Sequence, residues 1–434
     1  MPASPSLLIV PARFKTGKLY TPLATTSGGV VLGASGDFNV TRATTATRVN
    51  ASGFIEVVAS GIPRLDYYTS GGTAGCPALL VEPSGTNFAR GVELLNTPTP
   101  ATAAGGITVT TGSTDFLAPD GTSGTITKYV GGTASGSNFL EYVSSTSVTA
   151  AGVHTFSAFV KAGATNPLNF CALQFTAFTG GSGTGTSYFS LASGTALTTG
   201  ASIQNYGNGW YRIISAPYTI AAGDLTGDIR LLFAEGNNDA SFPASGALNL
   251  TLYAWGIQLE AGSVATSYIP TTTTSATRNA DVITLSGAVS GCIGQTEGTI
   301  YAEVDMQRLI LGSVFVLDVG GTGEYIAITK LATGAFRVSI KKTSTSAVNI
   351  ITTTTNAVGI YKLALGYKSG DYALYINGVS RGTSTNSTDY PTGALIQTVV
   401  SNTNYGALND CLRTPVALYT TRLTNAELAA LTTL

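Results

Sequence analysis

The sequence predicts an all-β protein: two tandem jelly-roll or β-sandwich domains preceded by an extended N-terminal arm. Three observations favour this class. Only 10% of the residues are charged, 52 residues are glycine, and short segments alternate apolar with small or polar side chains. Charged residues make up about 25% of an ordinary soluble protein, and alternation with a period of two is typical of a half-buried strand. The hydrophobic content of 44% argues against a disordered chain.

Residues 1–90 are predicted to form the arm, because glycine and proline interrupt every short strand-like piece. The arm could pack along its own sandwich domain or dock on other subunits, and the residues favour neither alternative. Four charged residues lie among apolar neighbours, which favours internal ion pairs over a catalytic role. They are Arg42, Arg48, Arg64 and Asp66.

Residues 91–278 are predicted to form the first sandwich domain, because eight or so alternating segments follow one another at regular spacing. The last of them, Leu252–Glu260, alternates large apolar with small or polar residues. A turn at 261–263 and a short extended piece ending at Pro270 follow it. We therefore expect a closing strand and then a connecting segment that leads to the next domain.

Residues 279–434 are predicted to form a second β-domain. It contains a strand at 298–306 and a hairpin whose Asn377-Gly378 pair suits a turn with positive φ. The chain closes with a short helix. Thr424 caps that helix and Glu427 follows three positions later, the pattern of a capping box.

The closing strand and the segment after it carry a recognisable pattern, Y-x-W-G-x-Q-L-E-x-G, then T-S-Y-I-P-T, then T-R-x-A-D. The matching residues are Tyr253, Trp255, Gly256, Gln258, Leu259, Glu260, Gly262, Thr266 to Thr271, Thr277, Arg278, Ala280 and Asp281. This pattern resembles the end of a carbohydrate-binding-module-like β-sandwich common in bacteriophage tail, head-fibre and other virion surface proteins. Segments 38–50, 63–67, 79–87, 118–122, 155–163 and 207–212 are similar to the same family, so the resemblance covers about the first two thirds of the chain.

The last third carries a second resemblance. Its segments G-T-I-x-A-x-V from Gly298, Y-x-L-Y-I-N-G from Tyr372 and L-Y-x-x-R-L-T-x-x-E-L from Leu418 are similar to a concanavalin-A-like (laminin-G-like) jelly roll. Such domains bind glycans or protein surfaces. The resemblance therefore implies a lectin-like contact surface. Its candidate ligand-binding residues are Tyr325, Tyr367, Tyr372, Tyr375 and Tyr405.

Together the two resemblances imply a non-enzymatic structural protein of a bacteriophage virion, a spike, head-fibre or tail-fibre subunit. Its C-terminal domain would recognise a host surface glycan or receptor during host attachment. The arm would contact other virion proteins of the capsid or tail, and the subunits would form a homotrimer at the virion surface after synthesis in the host cytoplasm. Two alternatives are a capsid decoration or connector protein without a receptor, and a polysaccharide-degrading tailspike.

Composition excludes other partners. The net charge is −1 and no basic block occurs, whereas nucleic-acid binding needs a cationic footprint. No apolar run approaches the roughly 20 residues of a membrane span. The apolar run at 7–10 is followed, not preceded, by the first basic residue, which does not match a secretory signal.

The strongest enzymatic candidate is the face formed by Glu303, Asp305 and Gln307, which alternate along one predicted strand. Laminarinase-type glycoside hydrolases share the concanavalin-like fold and place two catalytic glutamates in such a pattern. Here the acid position holds Gln307 or, in the other spacing, Arg308, and neither can donate a proton and then act as a base. We therefore predict an ordinary exposed strand face and no enzyme activity.

The sequence gives little support for a metal or cofactor site. His154 is the only histidine, and the four cysteines are far apart, which favours buried thiols. The oxygen-rich loops 224–228 and 235–239 could hold a structural Ca²⁺ or could be solvated loops. We predict no cofactor, a glycine-rich hairpin tip at 180–185, and a core position for Trp255.

Overall fold

The computed structural model describes residues 5–9, 14–19, 23–24, 38–68, 77–89, 102–178, 183–242, 246–286, 292–320, 323–342, 347–401 and 410–433. Within these ranges the chain forms 37 strands and one short helix, which confirms the predicted all-β class. That helix, α1 (Asn425–Thr432), has eight residues and is too short to cross a bilayer.

The strands are numbered in chain order. In the first third they are β1 (Leu7–Ile9), β2 (Phe14–Lys15), β3 (Lys18–Leu19), β4 (Leu23–Ala24), β5 (Phe38–Thr41), β6 (Ala46–Val49), β7 (Ile55–Val58), β8 (Leu65–Asp66), β9 (Ala78–Val81), β10 (Gly85–Asn87), β11 (Thr102–Ala103), β12 (Thr108–Ser113), β13 (Ile126–Val130), β14 (Gly136–Ser137) and β15 (Phe139–Ser147). In the middle they are β16 (Gly152–Ala162), β17 (Phe170–Phe178), β18 (Gly183–Ser190), β19 (Thr195–Ala196), β20 (Ser202–Asn205), β21 (Tyr211–Ile214), β22 (Tyr218–Ile220), β23 (Thr226–Ala234), β24 (Ser241–Phe242), β25 (Thr251–Ala261), β26 (Ala276–Arg278) and β27 (Val282–Ser286). In the last part they are β28 (Glu297–Met306), β29 (Gly312–Asp318), β30 (Tyr325–Lys330), β31 (Phe336–Lys341), β32 (Val348–Thr352), β33 (Gly359–Lys368), β34 (Tyr372–Ile376), β35 (Val379–Ser384), β36 (Gln397–Ser401) and β37 (Asp410–Tyr419).

The chain divides into two compact units. Unit 1 comprises Met1–Ala51, Val58–Ser84 and Asn279–Leu434, and unit 2 comprises Ser52–Val57 and Gly85–Arg278. Unit 2 is therefore inserted, in sequence, between two parts of unit 1.

Unit 1 is a sandwich of two nine-stranded antiparallel sheets. One sheet has the order β35-β34-β33-β28-β37-β1-β4, with β9 also paired to β37 and β8 paired to β9. The other has the order β2-β3-β5-β27-β36-β29-β30-β31-β32. Alternate side chains of both sheets, such as Ile300, Phe315 and Leu365, are fully buried in one apolar core between them.

The predicted arm contributes strands to both sheets of unit 1. Leu7 of β1 lies opposite Leu418 of β37, and Leu80 of β9 lies opposite Cys411 of the same strand. Val40 of β5 lies opposite Ile283 in the second sheet. The described parts of 1–51 and 58–84 therefore complete the sandwich built by 279–434 instead of preceding it as a separate segment, because β1, β5 and β9 pair with strands far along the chain.

Unit 2 is a second two-sheet antiparallel sandwich. Its six-stranded sheet has the order β11-β15-β23-β17-β18-β19, and its seven-stranded sheet has the order β12-β13-β25-β16-β21-β20 with β22 paired to β16. Inward side chains, including Phe156, Phe175, Leu231 and Leu259, form its core. β17 and β18 form the predicted hairpin, but most of the glycine-rich connection, residues 179–182, lies outside the described residues.

Two local predictions in unit 1 are confirmed. Asn377 and Gly378 both have positive φ, 51° and 78°, as the hairpin between β34 and β35 requires. Helix α1 begins after Thr424, whose hydroxyl accepts a hydrogen bond from the Glu427 backbone N–H while the Glu427 carboxylate accepts from the Thr424 backbone N–H. This is the capping box that the sequence indicates.

Candidate functional site

The outward face of the six-stranded sheet of unit 2 carries a group of aromatic and polar side chains. On β17, Cys171, Leu173 and Phe175 point into the core. Because successive side chains of a strand point to opposite faces, Ala172 and Gln174 point outward. We call this side of the sheet the outer face.

The first row across the outer face is apolar. Ala172 of β17 lies opposite Tyr188 of β18 on one side and Leu232 of β23 on the other, and Leu232 lies opposite Phe139 of β15. Strands lie about 4.8 Å apart, so Phe139 and Tyr188 are about 14 Å apart across the row. Ala172 and Leu232 are buried, whereas Phe139, Tyr188 and the adjacent Phe170 are half-buried. The outer face therefore presents three rings around a small apolar centre.

The second row is polar and lies two residues further along each strand. Gln174 lies opposite Thr186 of β18 and Arg230 of β23. The Gln174 amide donates a hydrogen bond to the Thr186 hydroxyl, with 3.0 Å between Nε2 and Oγ1. The Arg230 guanidinium lies over the Phe139 ring, 4.2 Å from its centroid. This cation–π contact connects the polar row to the apolar row.

The Tyr188 hydroxyl stays protonated at neutral pH. Burial, and then the negative charge of Asp239, raises the pKa of Tyr188 above its usual value. A protonated phenol can both donate and accept a hydrogen bond. The ring of Tyr188 therefore brings a polar group to the apolar end of the outer face.

This arrangement has the chemistry that a pyranose ring requires. The C–H face of a sugar packs on an aromatic ring. Tyrosine adds a polar hydroxyl at the end of such a ring. The hydroxyl groups of the sugar form hydrogen bonds with amide, guanidinium and hydroxyl groups of side chains. Each of these side-chain groups has a fixed set of donors and acceptors. Half-buried rings beside Gln174, Thr186 and Arg230 supply both kinds of contact on one surface.

The outer side of the other sheet of unit 2 is covered by the chain itself. Residues 265–269, which follow the closing strand β25, are all buried. The Glu260 carboxylate accepts hydrogen bonds from the Thr266 backbone N–H at 2.8 Å and from the Thr266 hydroxyl at 2.6 Å. Gln258 accepts from the Ile269 N–H at 2.7 Å. We call the segment 261–278 the strap, because these bonds hold it against β25.

The contacts of β25 and the strap extend to Asn87 and Gly85 of β10. Asn87 donates to the carbonyls of Ile257 and Ile269 and accepts from the Leu259 N–H. A Cβ atom on Gly85 would lie 2.8 Å from a Glu260 carboxylate oxygen. Only glycine fits at this position without a shift of the buried carboxylate.

Both tryptophans are structural. Trp255 is fully buried, and its ring packs edge-on against Phe159 with a centroid distance of 5.2 Å and at a tilt against Tyr268 with a centroid distance of 4.8 Å. This confirms the predicted core position of Trp255. Trp210 is also buried and donates a hydrogen bond from its indole N–H to the Leu117 carbonyl at 2.9 Å. Neither ring is available to stack on a sugar.

The four described tyrosines of the predicted contact surface do not lie together on one exposed face. Tyr367 and Tyr372 are only 1% and 0% exposed, because both point into the core of unit 1. Tyr325 and Tyr375 are half-buried on the outward sides of different sheets, where Tyr325 packs against Val316. Tyr405 lies outside the described residues. The prediction is wrong for Tyr367 and Tyr372, since a buried side chain cannot contact a ligand.

Three charged residues of the first 90 positions, Arg42, Arg64 and Glu82, belong to a buried ion-pair cluster within unit 1. Arg64 pairs with Asp281 and with Glu82, 2.8 Å from the Glu82 carboxylate, and Arg42 pairs with Asp281 at 2.9 Å. Arg308 pairs with Glu82 at 3.1 Å. The predicted internal ion pairs of Arg42 and Arg64 are thereby confirmed, and these residues stabilise the sandwich.

The candidate hydrolase face is less exposed than predicted. Glu303 is half-buried, but Asp305 is fully buried on the same side of β28. Gln307 follows the end of the strand, and its amide approaches the Tyr68 carbonyl at 3.4 Å. Asp305 therefore cannot line an exposed face, because the surrounding chain covers it.

Within the described ranges, no group of three histidine, cysteine, aspartate or glutamate side chains is placed to hold a metal ion. His154 is buried, its Nδ1 lies 2.9 Å from the Gly152 carbonyl, and burial lowers its pKa. Cys171 and Cys292 are buried thiols, as predicted. Cys76 lies outside the described residues, as does the side chain of Cys411.

The residues of the outer face were missed in the sequence analysis, although a signal for them was present. The alternation of side chains at 170–178 and 188–191 places Phe170 and Tyr188 on the faces opposite Cys171 and Phe189. The alternation of side chains along a strand does not show which strands are neighbours in the sheet. The rows therefore became visible only through the register of β15, β23, β17 and β18.

Comparisons with known proteins show distant structural likenesses. No protein-family model and no curated protein matches the chain. The native heptameric SAP-like pentraxin from Limulus polyphemus is 14% identical over 32% of this chain and 70% of its own, with a TM-score of 0.26. The CBM40 of the Ruminococcus gnavus IT-sialidase is 16% identical over 32% and 84%, with a TM-score of 0.27. Domain 4 of AbnA, a GH43 extracellular arabinanase from Geobacillus stearothermophilus solved with arabinotriose, is 17% identical over 39% and 81%, with a TM-score of 0.29.

Proposed function

We propose that this protein is a carbohydrate-binding surface protein that recognises a glycan through the outer face of unit 2. The observation that carries the proposal is the apolar row ending in Phe139 and Tyr188, with the polar row of Arg230, Gln174 and Thr186 beside it. Half-buried rings with hydrogen-bonding groups along one side match the two kinds of surface that a sugar ring presents.

The glycan-binding surface is placed in unit 2, whereas the sequence resemblance implies one in the C-terminal part of unit 1. In unit 1, Tyr367 and Tyr372 are buried, and Tyr325 and Tyr375 belong to different sheets. In unit 2, three half-buried rings lie on one sheet. A contact surface needs its anchors to be close together and accessible, and only the second set meets both conditions.

The biological setting is proposed from the sequence resemblance. We propose a bacteriophage virion surface protein, a spike, head-fibre or tail-fibre subunit, that acts without enzyme activity as a homotrimer and attaches to a host glycan. The residues that carry the resemblance include Trp255, Gln258, Glu260 and Asp281, which lie in the strap contacts and in the ion-pair cluster. These residues support the proposed class because they belong to the sequence pattern that resembles it and, in this fold, hold the scaffold together.

The test is binding of the purified full chain to an array of immobilised bacterial surface polysaccharides. We expect saturable binding to at least one polysaccharide, and we expect the Tyr188→Ala variant to lose it. The matched control is Tyr325→Ala, which removes a half-buried tyrosine from unit 1 and should leave binding unchanged. Absence of binding to every polysaccharide, or equal binding by Tyr188→Ala and the wild type, would contradict the proposal.

A further inference from the structure

The core of unit 1 contains a lysine and an aspartate in direct contact. Lys330 is the last residue of β30, and Asp410 is the first residue of β37, which belongs to the opposite sheet. The Lys330 ammonium contacts one carboxylate oxygen of Asp410, and both side chains are 0% exposed. The pair therefore joins the two sheets through the interior of the sandwich.

Apolar core residues flank both members of the pair. On β30, Ile326 and Ile328 point into the core, and alternation places Lys330 on the same side. Asp410 lies opposite Val81, another core residue. Because a low-dielectric interior disfavours two separated charges, proton transfer from the ammonium to the carboxylate gives a neutral amine beside a neutral acid.

The remaining polar contacts orient both groups. Asp410 Oδ1 accepts hydrogen bonds from the backbone N–H groups of Gln307 at 2.9 Å and Arg308 at 3.1 Å. Lys330 Nζ donates to the Arg308 carbonyl at 2.9 Å. Two N–H donors on one carbonyl oxygen are the arrangement that stabilises an oxyanion during acyl transfer. The amine is held at the other oxygen of the same carboxyl group.

We propose that Lys330 and Asp410 condense to form an intramolecular isopeptide bond. The ammonium first gives a proton to Asp410 Oδ2. The Nζ lone pair then attacks Cγ, and the negative charge develops on Oδ1 between the two backbone N–H groups. When the tetrahedral species collapses, the C–Oδ2 bond breaks and Oδ2 leaves as water with a second proton from Nζ. One amide and one water replace the ammonium and carboxylate, and no oxidant or co-reactant is required.

The bond would lock the sandwich covalently. Lys330 and Asp410 are 80 positions apart, so the amide closes a large loop and ties β30 of one sheet to β37 of the other. The same protein provides an internal comparison. Lys128 and Asp115 in unit 2 also form an ion pair, at 2.8 Å, but their side chains are 32% and 42% exposed. Water stabilises the charges of that pair, so it should remain ionic.

The experiment is denaturing mass spectrometry of the purified full-length protein. We expect an intact mass lower than the sequence mass by one water. Tryptic digestion should give a branched peptide that joins the segments around Lys330 and Asp410, and no cleavage should occur after Lys330. Lys330→Met should have the full mass expected for its sequence, and Lys128→Met should still be one water short.

An intact wild-type mass without the loss of water, with separate linear peptides containing Lys330 and Asp410, would overturn the proposal and leave an ordinary buried ion pair. A loss of water that maps to any other pair of residues would also overturn it. Because the decisive measurement is made on the wild-type chain, the result does not depend on whether a variant folds.

Discussion

Arg64 and Asp281 form a buried ion pair although 217 positions separate them in the chain. Asp281 also forms an ion pair with Arg42, and Arg64 forms one with Glu82. The cluster therefore connects the three sequence segments of unit 1. The side chains of Arg42, Arg64 and Glu82 are fully buried. This cluster ties the N-terminal segment to the C-terminal sandwich from the inside.

Removal of the Arg64 charge should destabilise unit 1. Arg64→Met leaves the Asp281 and Glu82 carboxylates buried with fewer partners, which typically costs about 3–5 kcal/mol. The control is Lys368→Met, which breaks an exposed pair with Glu297 whose side chains are 55% and 32% exposed, and should cost no more than about 1 kcal/mol. Urea unfolding of both variants measures the difference. Equal losses of stability would contradict a stabilising role for the cluster.

Asp66 should make the stability of unit 1 depend on pH. Burial, the largest cause, raises the pKa of Asp66 to about 7 from its usual 3.8. Glu82 raises this pKa further, whereas Arg64 and Arg308 lower it. The folded state therefore keeps a proton that the unfolded chain loses above pH 3.8. The stabilisation is fully present below that pH and is lost as the pH rises to about 7.

The corresponding measurement compares the wild type with Asp66→Asn, whose amide oxygen can still accept the hydrogen bond from the Val49 N–H. The wild-type free energy of unfolding, relative to that of Asp66→Asn, should fall between about pH 4 and 7 by at most about 4 kcal/mol. Above pH 7 the difference should be constant. A difference that stays constant over this range would show that the carboxyl group is ionised in the folded state.

Glu303 should have no catalytic role. Asp305 is fully buried and Gln307 occupies the position of the required acid, so the pair of carboxyl groups that glycoside hydrolysis uses is incomplete here. We expect no release of reducing sugar from bacterial polysaccharides by the wild type or by Glu303→Gln. Release by the wild type that Glu303→Gln abolishes would restore the hydrolase alternative.

The sequence predicted the strands better than it predicted their surroundings. Alternation identified β34, but a strand has two faces, and a shift of one residue exchanges them. Tyr372 and Leu374 point into the core whereas Tyr375 points outward, so the tyrosines of one strand have opposite environments. Identification of the buried face required the neighbouring strands.

Local sequence patterns could not predict which strands pair when they are far apart in the chain. The pairing of Leu7 with Leu418 joins residues more than 400 positions apart, and nothing in either segment specifies the other. For Arg42 and Arg64, apolar neighbours correctly predicted internal ion pairs, but the partner Asp281 became evident only from the structure. The capping box of Thr424 and Glu427, whose residues are three positions apart, was predicted from the sequence.

The most direct test of glycan recognition is to titrate the full chain with the polysaccharide that it binds best on the array, and to compare four proteins by calorimetry. Tyr188→Ala and Arg230→Ala should each weaken binding about tenfold or more, because each removes one of the few side chains that would anchor the sugar. Tyr188→Phe retains the ring and should lose less affinity than Tyr188→Ala, and the wild type is the reference. Unchanged affinity in both alanine variants would contradict the central claim that the outer face of unit 2 binds the glycan.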